Sequence, residues 1–393
     1  MELRLLMSGI AIVLDDAFDP DPVDRSLNDH DLIHEIVRLI EQEWSTPFFK
    51  THRIPAESMW SNLFKSASFI LLDWRLWPKG AATLEEHGIR ENLKFIRAAI
   101  DYSVPVLIFT NEDPTDIEGH LNTLFPDEST HGFVFVERKN ELLNNGTLVL
   151  TAISTWVAEN LSVYTLKTWD SLLQQARIGL FRDMYSKNPN WPAVFWQTYL
   201  QDGVDASSAL TDMINDCLTG RISADAFEST IFTSKSAATS VSLEDFHALL
   251  SATCFLVNVS ENEVRCGDVF KSTRGRYLLN IRPDCDCIPR DDNSLDNIEL
   301  YVLEGKKTKP LKLYNRVQRA HGHILERIYE AIVFAAGDEG SIVFDFRRLR
   351  IRSYSELRSR RIGRLLQPYM TRIQQRYALF MQRQGLPRIP DQT

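Results

Sequence analysis

The first 160 residues alternate between short apolar runs and longer amphipathic stretches, and this alternation most constrains the fold. The apolar runs are Ile10–Leu14, Phe69–Leu72, Val104–Phe109 and Phe133–Val136, with a weaker strand near Phe48–Ile54. The stretches with helical spacing are Asp31–Glu43, Leu84–Asp101 and Asn140–Asn160. Nearly continuous apolar strands separated by helices are typical of a parallel sheet covered on both faces. We therefore predict a doubly wound, five-stranded α/β domain over residues 1–160.

The pattern changes twice in the rest of the chain. Residues 161–260 favour a helical connecting region, with a capped helix over Leu243–Leu256 that begins after Ser242. Residues 261–393 favour a small β-barrel or curled sheet. Its predicted strands and turn are Val269–Arg282, Ile298–Leu303, Ile342–Phe346 and the turn at 337–340. Three-and-four apolar spacing then predicts a long, arginine-rich final helix, Tyr354–Gln384.

Charge is unevenly distributed along the chain. Met1–Asn160 carries 26 acidic and 13 basic side chains, whereas Arg347–Thr393 carries 12 arginines and two acids. An arginine-only tail indicates nucleic-acid contact, pairing between the two ends of the chain, or the solvated face of a helix. All three interpretations stay open at this point.

Cysteine content and hydropathy bear on the compartment. Five cysteines in 393 residues are few and odd in number, which suits a reducing cytosol. No run approaches the roughly 18 consecutive apolar residues of a membrane span. The opening apolar run ends in Asp15-Asp16 rather than a small-residue cleavage site, so we interpret it as a buried strand. We expect a cytoplasmic protein without a membrane partner.

Polar residues follow four of the predicted strands. Asp15 and Asp16 follow the first run, Asp73 the strand Phe69–Leu72, and Thr110 the strand Val104–Phe109. Glu137-Arg138-Lys139 follows the last strand. Because parallel strands all end at one edge of the sheet, these side chains are predicted to converge.

Three converging carboxylates repel one another unless a cation lies among them. Mg²⁺ suits such a site, since it takes one or two carboxylates, keeps several waters and bridges to phosphoryl oxygens. Asp73 could then act as a nucleophile that forms an aspartyl phosphate. Thr110 and either Lys139 or Arg138 would complete the cradle for the phosphoryl oxygens.

Four segments in this order resemble the receiver domain of two-component response regulators, and they cover about 40% of the chain: VLDDAFD, ILLDWRLWP, VPVLIFTNE and FVFVERKNE. The resemblance implies a flavodoxin-like receiver fold, a Mg²⁺ cofactor and a partner histidine kinase. It implies Asp15, Asp16 and the backbone carbonyl of Arg75 as metal ligands beside Asp73, the phosphoacceptor. Thr110 would follow the phosphoryl group. The sequence departs from the family at Pro78, five residues after Asp73 rather than four, and lacks the Lys-Pro that usually follows the last strand.

The whole layout resembles the receiver-only component of Detocs-type phage-defence systems. That resemblance implies a phosphate sink, a second receiver-effector protein as partner and no turnover enzyme beyond the protein's own phosphorylation and dephosphorylation. A homodimer is a further partner expected of receivers. One alternative is a response regulator whose C-terminal region binds nucleic acid or protein. Another is a metal-dependent phosphohydrolase that uses the same acidic residues.

The second half holds a group of potential zinc ligands. Its members are Cys266, Cys285, Cys287, His321 and His323. Two thiols and two imidazoles could bind zinc tetrahedrally, but the Cys-x-Cys and His-x-His spacings are unusual for such sites. Buried thiols with turn-forming aspartates are the alternative.

Overall fold

The computed structural model describes residues 7, 9–20, 27–77, 82–125, 132–139, 146–236, 242–289, 294–309 and 326–383. It divides into two compact units. The first comprises Met1–Lys187 and Asp216–Thr239, and the second comprises Asn188–Asn215 and Ser240–Thr393. Each unit contains one β-sheet.

Within the described residues, twelve strands build the two sheets. They are β1 (Ile10–Leu14), β2 (Phe48–Thr51), β3 (Ala67–Leu72), β4 (Val106–Thr110), β5 (Val134–Arg138), β6 (Phe255–Leu256), β7 (Asp268–Lys271), β8 (Tyr277–Asn280), β9 (Glu299–Thr308), β10 (Glu330–Val333), β11 (Ser341–Ser353) and β12 (Arg361–Leu365). Short 3-10 turns occupy Asp16–Phe18, Asp284–Asp286, Leu295–Asn297 and Arg358–Arg360.

The same part of the chain contains twelve helices. They are α1 (Leu27–Trp44), α2 (Glu57–Ser66), α3 (Ala82–Asp101), α4 (Pro114–Leu124), α5 (Gly146–Glu159), α6 (Leu161–Lys187), α7 (Trp191–Gln201), α8 (Ala206–Thr219), α9 (Ser229–Ser236), α10 (Leu243–Cys254), α11 (Tyr354–Leu357) and α12 (Tyr369–Gln382). Within the described ranges, no helix combines the length and apolar character needed to cross a membrane.

The first sheet confirms the predicted five-stranded parallel α/β arrangement. All neighbouring strands run parallel, in the order β2-β1-β3-β4-β5. This is the flavodoxin-like order, in which ligands bind outside the carboxyl ends of the strands.

The packing of β1 shows why a central strand is apolar at successive positions. Ala11 and Val13 pack on one face of the sheet against α1 and α5. Ile12 and Leu14 pack on the other face against α2, α3 and α4. Because side chains alternate between faces, a strand buried on both sides needs apolar residues at every position.

The second sheet is antiparallel and has seven strands in the order β10-β11-β9-β8-β7-β12-β6. It ends at β10 and β6, so the described strands form an open sheet, which favours the curled sheet of the two predicted forms. The predicted turn between β10 and β11 contains Gly337 and Gly340, both with positive φ. The predicted cap of α10 is also present, since Ser242 Oγ accepts a hydrogen bond from Asp245 N at 3.0 Å.

The predicted final helix, Tyr354–Gln384, is wrong in its middle. Helix α11 ends at Leu357, β12 follows, and only α12 is a longer helix; Gln384 lies outside the described residues. A Cβ at Gly363 would lie 2.3 Å from Phe255 Cε1, so glycine permits the close approach of β12 to β6. Pro368 lacks the N–H that an uninterrupted helix requires.

The tail arginines pair largely with acids of their own unit. Nine of the described ones form ion pairs: Arg347, Arg348, Arg350, Arg352, Arg358, Arg361, Arg364, Arg372 and Arg376. Their partners all follow residue 260, and only two of the nine lie on α12. These ion pairs therefore compensate the charge of the described part of the tail locally, rather than leaving an unpaired cationic helix face.

Candidate functional site

The carboxyl edge of the parallel sheet holds two aspartates on neighbouring strands. Asp15 follows β1 directly and Asp73 follows β3 directly. Backbone hydrogen bonds fix both positions: Asp73 N donates to Leu14 O at 2.8 Å, and Asp15 N donates to Thr51 O at 3.0 Å. The strand ladder thus continues far enough to place both carboxylates at the same edge.

Asp15, Asp16 and Asp73 form a group that we call the acidic cluster. Each offers one carboxylate oxygen, and these oxygens all lie within 4.8 Å of one another. Asp15 is 1% exposed, whereas Asp16 is exposed and Asp73 is half-buried. The cluster is therefore anchored in the protein at Asp15 and open to solvent at Asp16.

Lys139 neutralises part of the acidic cluster. Its Nζ donates to Asp15 Oδ2 and to Asp73 Oδ2, both at 2.7 Å, and the side chain is buried. Arg138 instead pairs through Nη2 with Asp113 Oδ2 at 2.9 Å. Of the two cations left open by the sequence, the structure brings Lys139 to the carboxylates.

Burial and charge shift the pKa values at this site. Burial raises the pKa of Asp73 to about 7, with Asp15 adding to the rise and Lys139 opposing it. Burial alone would lower the pKa of Lys139, but the charges of Asp73 and Asp15 outweigh it and raise that pKa. The lysine therefore stays cationic while Asp73 binds a proton readily in the absence of another cation.

Thr110 and Arg75 lie beside the acidic cluster in the sheet and its loops. Thr110 is the buried last residue of β4, and its Oγ1 accepts from Glu112 N at 3.2 Å. Arg75 N donates to Asp73 Oδ1 at 3.2 Å, and Arg75 Nη1 lies 2.5 Å from Glu112 Oε1. These contacts link the loop after β3 to the loop after β4.

The donor set fits a hard divalent cation. Carboxylate oxygens from three residues lie close together, and one of these residues faces solvent. Mg²⁺ needs few protein carboxylates and retains waters, which an open cluster allows. Across the described ranges, no other trio of His, Cys, Asp or Glu brings its ligand atoms this close.

Two supporting residues were missed by the sequence reasoning. Glu112 holds Arg75, and Asn92 Nδ2 donates to Trp74 O at 2.5 Å in the loop after Asp73. Asn92 lies three residues before Phe95 on the buried face of α3. A polar residue at an apolar position of the helical spacing could therefore have indicated it from the sequence. Nothing in the sequence indicated a role for Glu112 except its position two residues after Thr110.

Two of the three candidate cysteine ligands, Cys266 and Cys287, are buried as thiols, whereas Cys285 is exposed. Gln374 Nε2 donates to Cys266 Sγ at 3.1 Å, and Asn280 Nδ2 donates to Cys287 Sγ at 3.4 Å. Burial raises the pKa of the Cys287 thiol to about 11 and also raises that of Cys266. These two environments favour neutral sulfur over a zinc-binding thiolate. His321 and His323 lie outside the described residues.

Comparison with known proteins returns no match: no family model, no curated protein and no solved structure matches the chain. The acidic cluster and the strand order of the sheet are therefore the features that bear on function.

We expect Lys139→Met to destabilise the first unit in EDTA by about 1–3 kcal/mol, because its removal leaves Asp15 and Asp73 unpaired until one of them takes up a proton. Arg138→Met is the matched control and removes the exposed ion pair with Asp113, so its effect should be below about 1 kcal/mol. Urea unfolding, monitored by amide hydrogen exchange in β1 and β3, measures the free energy of unfolding of both variants. Equal losses in the two variants would contradict the assignment of Lys139 as the counter-ion.

We also expect Asp73→Asn to stabilise the first unit in EDTA at pH 8. The pKa of Asp73 is raised from 3.8 to about 7 on folding, so the folded state binds more protons between these values. Stability contributed by this group is present at low pH and is lost as the pH rises through that window. The free energy of unfolding of the variant should exceed that of the wild type by on the order of 2–4 kcal/mol at pH 8 and by little at pH 4. A variant less stable than the wild type at pH 8 in EDTA would refute this.

Proposed function

We propose that this protein is a receiver-type signalling protein that accepts a phosphoryl group on Asp73 from a partner histidine kinase. The observation that carries the proposal is the acidic cluster, with Lys139 bonded to two of its members, at the carboxyl edge of a β2-β1-β3-β4-β5 parallel sheet. Nucleophile, counter-ion and metal ligands are thus supplied by separate strand ends.

Asp73 is the nucleophile of the proposed reaction. One of its carboxylate oxygens forms a bond to phosphorus while the bond between phosphorus and the kinase histidine nitrogen breaks, and that nitrogen keeps the electron pair and takes up a proton. Arg75 N and Lys139 Nζ hold the Asp73 carboxylate in place. Such positioning matters because phosphoryl transfer depends on alignment and charge neutralisation.

Asp15, Asp16 and the backbone carbonyl of Arg75 are the proposed Mg²⁺ ligands beside Asp73. Mg²⁺ supplies neutralisation of the negative charge on the phosphoryl oxygens. Thr110, at the end of the strand next to β3, is the proposed hydroxyl donor to those oxygens. Lys139 supplies the remaining positive charge.

Acetyl phosphate provides the direct test of phosphorylation without the kinase. The wild-type protein with Mg²⁺ should gain the mass of one phosphoryl group, stable in acid and labile in base. Replacing Mg²⁺ with EDTA should abolish the gain. A gain of equal size in EDTA, or none with Mg²⁺, would overturn the proposal.

The proposed role in the pathway is that of a phosphate sink. The tail arginines are largely paired with local acids, which favours a sink over a nucleic-acid-binding output. Deleting the gene should raise phosphorylation of a co-encoded receiver-effector under weak kinase activity. Unchanged phosphorylation of that receiver-effector would refute the sink role. It would not contradict the proposal that Asp73 is the phosphoacceptor.

A further inference from the structure

The first unit contains a second concave site, at the edge of the parallel sheet opposite the acidic cluster. It is a cavity of about 460 Å³ between the beginnings of β1 and β3 and the helix α6. Gly9 and Ser68 line it from the strands, and Lys167 and Arg177 line it from α6. This volume is in the range of small-molecule sites.

Two buried polar groups face this cavity with unused hydrogen-bonding capacity. The side chain of Lys167, only 5% exposed, donates one hydrogen bond to Ser68 O. An ammonium group has three donors, and the Lys167 group makes no second hydrogen bond to a described residue. Ser68 is 7% exposed, and its buried Oγ also has no partner among the described residues.

Gly9 lies close beside Ser68. Its φ is +127°, and a Cβ there would lie 3.1 Å from Ser68 Cβ and 3.6 Å from Ser68 Oγ. A side chain at this position would be strained, and its Cβ would crowd Ser68 Cβ. Glycine before β1 therefore permits the close packing beside Ser68 in the cavity wall, where the Ser68 hydroxyl is buried.

The lining charges favour an anion. Lys65, Lys167 and Arg177 outnumber the single acid, Asp170. Burial lowers the pKa of Lys167 to about 8, with Asp170 opposing the change, so the amine is still largely cationic at neutral pH. Charge-assisted hydrogen bonds from lysine and arginine to oxyanions are stronger than neutral ones.

We propose that this cavity binds a small molecule through a phosphate or carboxylate group, whose oxygens accept hydrogen bonds from the ammonium group of Lys167. Lys65 and Arg177, both exposed, contribute attraction at the rim. The proposal is independent of phosphorylation at Asp73, because none of these residues belongs to the acidic cluster.

The test is calorimetric binding to the full chain in buffer freed of metal ions by a chelating resin, with inorganic phosphate and citrate as probes and chloride of equal ionic strength as reference. Saturable binding of phosphate alone identifies a phosphorylated ligand class, and binding of citrate alone identifies a carboxylate class. Binding of both supports a general oxyanion site. Binding of neither probe overturns the proposal.

Variants locate any binding that is seen. Lys167→Met should weaken it about tenfold or more, the cost of one charge-assisted hydrogen bond. Arg177→Gln, at an exposed position that does not endanger folding, should weaken it several-fold. Lys187→Met makes the same charge change on the same helix outside the cavity and should leave it unchanged. Equal affinity in Lys167→Met, Arg177→Gln and Lys187→Met would overturn the assignment.

Discussion

Asp73→Asn should abolish the phosphoryl mass gain that the wild-type protein shows with acetyl phosphate and Mg²⁺. An amide oxygen is not a competent nucleophile here, and the change also removes one charge from the acidic cluster. The geometry around position 73 should persist, because Arg75 N can still donate to the amide oxygen at this site. Intact-mass spectrometry measures the effect as a complete loss.

Asp101→Asn is the matched control for this loss. Asp101 ends α3 and pairs weakly with Arg97, with a nitrogen–oxygen distance of 3.8 Å and both side chains exposed. The control makes the same chemical change outside the acidic cluster and should be phosphorylated like the wild type. A phosphoryl gain that persists in Asp73→Asn would exclude Asp73 as the acceptor.

Asp268→Asn should produce the largest loss of folding stability, about 3–5 kcal/mol in the second unit. Asp268 is fully buried on β7. Its Oδ2 accepts from Arg361 Nη1 at 2.8 Å, and its Oδ1 accepts from Arg364 Nε at 2.6 Å. Arginine cannot release its proton in a protein, so removing the carboxylate leaves the buried Arg361 guanidinium without its acid and leaves Arg364 with Glu263 alone.

Hydrogen exchange of β7 and β12 during urea unfolding measures this loss, and β1 in the first unit serves as an internal reference. Glu356→Gln is the matched control, because its ion pair with Arg352 is 3.9 Å long and both side chains are exposed. Its effect should be below about 1 kcal/mol. If Asp268→Asn lost no more folding stability than the control, Asp268 would not be the carboxylate that stabilises these two buried arginines.

The centre of the first sheet was predictable because β1, β3 and β4 are buried on both faces. That burial requires continuous apolar runs, and β1 begins and ends at the predicted residues. Helices α2 and α4 were not predicted. Each is short, and each has only two buried residues. These are Trp60 and Phe64 in α2 and Ile117 and Leu121 in α4.

The second sheet shows where sequence patterns fail. The residues of β12 fit the spacing of the predicted helix, but their partners are distant in sequence. Arg361 and Arg364 bind Asp268, more than 90 positions earlier, and Gly363 approaches Phe255. Local periodicity carries no information about such long-range ion pairs, so tertiary contacts override it.

The candidate site was predictable in its strand ends and less so in its cation. Parallel topology alone places Asp15, Asp73 and Thr110 at one edge, because each follows an apolar run. Lys139 and Arg138 are adjacent residues, and only the path of the chain after β5 places Lys139 against the carboxylates and Arg138 against Asp113. The cavity at Lys167 had no sequence signal, since its lining residues are distant in sequence: they come from α2, β3, α6 and α8 and from the glycine before β1.

Borohydride reduction of the acetyl phosphate-treated protein tests the central claim most directly. Hydride reduces an aspartyl phosphate to homoserine as phosphate leaves, and peptide sequencing by mass spectrometry then locates the reduced residue. We predict homoserine at position 73, dependent on Mg²⁺ during phosphorylation. Homoserine at another aspartate, or its absence from a protein that carries a base-labile phosphoryl group, would contradict the account.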